Sequence, residues 1–68
     1  MDKILEFTVT SGYLSVRAKD INAVDISPND AKCIRMFISG ITYNIHFDSE
    51  ESAIKTFKEI TEAMKEYD

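Results

Sequence analysis

The chain has one histidine, His46, and one cysteine, Cys33, and these are the two residues whose types invite metal or catalytic chemistry. Imidazole and thiolate both ligate zinc, and side by side they form a base and a nucleophile. Each role needs more than two residues. A soft-metal site requires about four ligands, and Asp48 is the one nearby candidate for a third, so a single chain falls short. A Cys-His dyad needs a cleft that excludes water and donors arranged around a developing oxyanion, which side chains on an open sheet face lack. Asp20, Asp25 and Asp30 recur at regular intervals, but they miss the alternating ligand spacing of a calcium loop, and that segment contains no glycine. Gly-rich phosphate loops, HExxH and GxSxG are all missing from the sequence. The expectation is a non-enzymatic protein with no cofactor and no metal.

The elements that would carry Cys33 and His46 are legible from turn chemistry. Ser11-Gly12 and Ser39-Gly40 each lie between runs of β-branched and aromatic residues, and Gly in a two-residue loop supplies the positive φ of a primed hairpin turn. With Ser39-Gly40 as the loop, Ile38 faces Ile41, Met36 faces Tyr43 and Ile34 faces Ile45 on one side. Phe37 with Thr42, Arg35 with Asn44 and Cys33 with His46 occupy the other. With Ser11-Gly12 as the loop, Val9 faces Leu14, Phe7 faces Val16 and Leu5 faces Ala18, while Thr10 with Tyr13, Thr8 with Ser15 and Glu6 with Arg17 lie on the solvated side. A one-residue slip in either ribbon would expose the apolar set. The segment from Ile21 to Ile26 reads as a further strand, with Lys19-Asp20 as the corner before it. Ser27-Pro28-Asn29-Asp30 follows as a type I turn, because Pro presets φ at its second position.

After the second hairpin the apolar period changes to three and four. Ala53, Ile54, Phe57, Ile60, Met64 and Tyr67 form one helical face, and the spacing predicts a helix over 50–66. Asp48 is the expected cap, with Glu51 reaching back as a capping box, and Glu50 and Glu51 suit the positive end of the helix dipole. Glu51 with Lys55 and Lys58 with Glu62 are expected surface pairs. Ile54, Phe57, Ile60 and Met64 should bury against the apolar sheet face. The predicted fold is α+β: an antiparallel β-meander of four to five strands, built on two Ser-Gly hairpins and packed on one C-terminal α-helix.

Size and composition set the remaining limits. A 68-residue chain allows one domain, spanning 1–68, and 44% hydrophobic with 29% charged residues is a globular balance. With one cysteine no intramolecular disulfide forms, which favours a reducing compartment. The N-terminus reads as neither signal peptide nor membrane span, so the expected location is cytoplasmic, without membrane association. Eight basic against twelve acidic residues give a net charge of −4, which opposes phosphate attraction and disfavours nucleic acid as a partner.

Function must then reside in surfaces. One helix covers one sheet face, leaving Tyr13, Arg17, Arg35, Phe37, Asn44 and His46 on the other, a mixture of aromatic, basic and polar types that protein interfaces favour. A second candidate is the acidic region of Asp48, Glu50, Glu59 and Glu62 around the helix, suited to a basic partner. In layout, a β-meander with one terminal helix resembles single-stranded nucleic-acid-binding modules of the Pur-repeat type. No motif of those modules carries over, but an exposed aromatic on a sheet face, here Phe37 or Tyr13, can stack an unpaired base, with Arg17 and Arg35 as the available cations. The order of a Gly turn, a short strand, a second Gly and an acidic helix start, over Phe7 to Glu51, is similar to small flagellar-regulator and phage accessory proteins. The leading expectation is an inhibitor, adaptor or accessory factor of a phage, plasmid or bacterial operon that binds a protein. It is also expected to be a homodimer through the outer sheet face or an edge strand, because a lone sheet leaves one face and two edges open. The alternative is a single-stranded nucleic-acid-binding module.

Overall fold

The computed structural model describes residues 3–9 and 12–66. Five strands precede one helix: β1 (Ile4–Val9), β2 (Gly12–Arg17), β3 (Ala23–Ile26), β4 (Cys33–Ile38), β5 (Ile41–His46) and α1 (Glu50–Lys65), with a 3₁₀ turn (Ala18–Asp20) between β2 and β3. The α+β class and the C-terminal helix agree with the sequence reading. The strands divide into two antiparallel sheets, however, a β1-β2 ribbon and a β3-β4-β5 meander. The 3₁₀ turn is the break: the expected corner at Lys19-Asp20 ends one sheet, and the next strand starts at Ala23 instead of Ile21.

The second hairpin has the register that its turn dictates. Ile38 pairs with Ile41, Met36 with Tyr43, Ile34 with Ile45 and Cys33 with His46. Ser39 and Gly40 both have positive φ, 51° and 81°, as a two-residue primed turn requires. Asn22 steadies this turn, its side-chain oxygen accepting from the Ser39 amide at 2.8 Å. At the other end of β4 the Asp30 amide donates to the Ser27 carbonyl at 3.3 Å, closing the turn around Pro28, and the Asp30 carboxylate accepts from the Lys32 amide at 3.0 Å.

The first hairpin departs from its predicted pairing by two residues. Val9 pairs with Gly12, Phe7 with Leu14 and Leu5 with Val16. Gly12, at φ 131°, therefore opens β2 instead of sitting in the loop. The expected loop residue Ser11, and Thr10 with its expected partner role, lie outside the described residues. Because side chains alternate with period two, a two-residue shift preserves parity. Leu5, Phe7, Leu14 and Val16 consequently still turn inward, as expected, and pack on the core.

That core joins Ile21, Ile34, Met36 and Ile45 to Ala53 and Ile60 of α1. The helix lies against β3, β4 and the 3₁₀ turn. Its cap is Ser49, whose hydroxyl accepts from the Ser52 amide at 3.2 Å, and not Asp48 with Glu51. A serine one residue nearer the first turn reaches the amide of N3 directly. The helix is also rotated from the predicted face. Ala53, Ile60 and Ala63 are buried and Phe57 and Met64 partly so, whereas Ile54 is 43% exposed. Tyr67 lies outside the described residues. On the outer face an ion pair joins Lys65 to Glu62 at 3.4 Å.

Candidate functional site

The reverse face of the three-stranded sheet holds Arg35, Phe37, Asn44 and His46, as the register requires, with Asn44 and His46 exposed. Tyr13, 92% exposed, and Arg17 belong to the separate β1-β2 ribbon. The single outer surface expected from sequence is thus carried by two sheets.

Arg35 has a partner on the neighbouring strand, Asp25. Because Asp25 pairs with Arg35 across β3 and β4, the guanidinium engages its carboxylate in a two-pronged ion pair. Nε donates at 2.8 Å to Oδ1, and the terminal nitrogen Nη2 donates to Oδ2. The same guanidinium lies 5.8 Å from the Phe37 ring centroid, within reach of a cation–π contact. The hydrogen bonds from Arg35 hold the Asp25 carboxyl below its usual value, against a smaller opposing effect of burial. A depressed carboxyl contributes stability that is present above its unfolded value of about 3.9 and lost as pH falls through the lower folded value. Asp25→Asn should therefore flatten part of the acid limb of the unfolding curve. Denaturant midpoints at stepped pH between about 5 and 2 check this, and an unchanged limb in the variant would refute the coupling.

Cys33 also differs from expectation. Its register places it opposite His46 on the face away from α1, yet it is only 5% exposed, at the start of β4 where residues 27–32 fold back. Burial raises the thiol above its ordinary value, and the negative charge of Asp30 adds to this. A thiol held protonated is a poor nucleophile and a poor metal ligand. Among the described residues no group of three or more His, Cys, Asp or Glu side chains is placed to hold a metal ion.

What the structure does bring together is an open groove of about 490 Å³ between β1, the end of β5 and the first three turns of α1. Phe7, Ile45 and Phe47 provide its apolar part. Glu6, Asp48 and Glu59 bring three carboxylates to it, and Thr8, Ser52 and Thr56 bring hydroxyls. Ser52, Thr56 and Glu59 share one helical stripe, being four and three residues apart. His46, Asp48 and Glu59 are sequence candidates for partner binding that converge here, whereas Glu50 and Glu62 stand outside the lining. Glu6 and Thr8 were missed as members of this site. Hairpin geometry assigns them to a solvated side, and only the approach of β1 to β5 places that side at a groove.

The fold and this surface define a small α+β protein in which, among the described residues, no charged side chain is buried. No protein-family model matches the chain, and no curated protein matches it. No helix among the described residues is long and apolar enough to cross a membrane.

Proposed function

We propose that the chain is a non-enzymatic, cytoplasmic interaction domain that acts as an inhibitor, adaptor or accessory factor by presenting a surface to a protein partner. The observation that carries this reading is the groove in which His46, Asp48 and Glu59 meet Glu6 beside the half-buried rings of Phe7 and Phe47. Polar and charged groups ringing partly exposed aromatics are the anatomy of a recognition surface. Carboxylates open to water lack the shielded setting that general acid–base catalysis uses. Affinity capture from the native host with wild-type protein and with Asp48→Lys/Glu59→Lys tests it. A protein held by the first and released by the second supports the reading. Capture of the same proteins by both refutes it.

The pairing of Asp25 with Arg35 weighs against the single-stranded nucleic-acid alternative, because the cation nearest Phe37 is already neutralised. A labelled oligonucleotide should show no binding at low salt, where phosphate attraction is strongest.

Self-association through the ribbon belongs to the same proposal. Ile4 and Tyr13, on the outer side of the β1-β2 pair, are 51% and 92% exposed, and residues of this kind gain most from being covered by a second copy. Sedimentation at micromolar concentration should give twice the 7.8 kDa chain mass, with Ile4→Glu/Tyr13→Ser returning it to 7.8 kDa. A wild-type monomer would exclude the dimer.

A further inference from the structure

We infer that the groove between β1, the end of β5 and α1 takes an extended basic segment of a partner protein, with Lys or Arg side chains on its carboxylates and an apolar side chain against Phe7 and Phe47. This rests on the interaction reading above and names the chemistry of the partner. The argument is one of charge and shape. The lining contains three acidic residues, Glu6, Asp48 and Glu59, and neither lysine nor arginine. Beside an apolar wall such charges are screened less than on a convex surface, which strengthens their pull on a cation.

The arrangement also selects an extended occupant over a point charge. The carboxylates come from three separate parts of the chain, β1, the connection between β5 and α1, and the third turn of α1. They do not converge in a group able to hold a metal ion. Charges dispersed along a trough match cations distributed along a chain. The aliphatic stems of Lys and Arg can lie on Phe7 and Phe47 while their heads reach the rim. About 490 Å³ falls within the range of sites that enclose a few side chains. The helix start opposes cations through its dipole. Ser49 caps that end, and Glu50 and Glu51 in the first turn offset its partial positive charge.

The probe is a random dodecapeptide library selected on the wild-type chain, with the most enriched peptide then titrated by fluorescence anisotropy. Enriched peptides should combine Lys or Arg with aliphatic or aromatic residues. Glu6→Gln/Glu59→Gln should weaken the titrated peptide at least about tenfold, the effect of about 1.4 kcal/mol. Glu62→Gln/Glu66→Gln carries the same change in net charge outside the groove and should leave affinity within about twofold. Circular dichroism of both variants separates lost contact from lost folding. Equal weakening by the two pairs would overturn the inference in favour of diffuse attraction, and so would enrichment of peptides without cations. In that case the broader reading stands if host capture still depends on Asp48 and Glu59. Failure of host capture together with no enriched peptide removes both.

Discussion

Replacing Ile60 by alanine should leave the chain largely unfolded at room temperature, whereas Ile54→Ala, on the same helix, should be nearly silent. Ile60 is 1% exposed and packs into the cluster that joins α1 to Ile34, Met36 and Ile45. Removing a buried isoleucine side chain to alanine costs about 2–5 kcal/mol, because the lost transfer energy is compounded by the cavity left behind. A single core in a chain this short supplies only about 3–5 kcal/mol in all. The loss is therefore comparable with the whole stability. Ile54 is 43% exposed, so truncation removes little buried area, and alanine's better helix propensity returns a few tenths of a kcal/mol. Urea unfolding followed by far-ultraviolet circular dichroism measures both. Comparable losses at the two positions would mean that the helix presents a different face to the sheets.

The contrast between these isoleucines shows where sequence reading reaches its limit. The periodicity of α1 is plain, but an apolar stripe wider than the contact it makes leaves the rotation of the helix undetermined. The stripe through Ile54 and the stripe through Ala63 are both compatible with Phe57 and Ile60. Alanine carries no strong signal for either side, so Ala63 was passed over although it is completely buried.

The hairpins divide in the same way. Ser39-Gly40 set their register outright, because both loop positions need positive φ and the apolar pairs agree with it. For the first ribbon the glycine lies beside the loop, at the head of β2, and turn chemistry alone pointed two residues away. The face assignment survived because parity did.

The candidate site was less legible than the fold. Asp48, Glu59 and His46 could be named for charge and type, but the groove depends on β1 coming alongside β5 and the helix crossing nearby, which no local pattern encodes. The ion pair of Arg35 follows from the β3-β4 register, which rests on residues 27–32 returning the chain with Asp25 opposite Arg35. Before that register is known, Arg35 reads as an exposed cation available to phosphate. Once it is known, the face is close to neutral at that point, and the balance between the two functional readings moves toward protein.

The other large effect is expected at Ala63, where Ala63→Glu should abolish the folded state. Its side chain has 0% exposure in the last third of α1, and the helix lies against β3, β4 and the 3₁₀ turn. A carboxylate introduced there must lose its water without a prepared partner. An unpaired buried charge is among the few single changes that cost several kcal/mol, unless the group takes up a proton or the structure opens. Either escape is visible. If the helix end frays to release the charge, helical signal falls while the core formed by Ile34, Met36 and Ile45 keeps amide protection. If the whole fold is lost, protection disappears throughout. The second outcome is expected, since neither layer has another surface on which to bury its apolar side, and a two-stranded ribbon is at best marginal alone. Ala63→Ser, which adds one small hydroxyl able to bond back to a helix carbonyl, should be far milder. A fully folded Ala63→Glu protein would show that the helix end is not sealed against the sheet, and would weaken the rigid positioning of Glu59, one turn earlier, on which the groove depends.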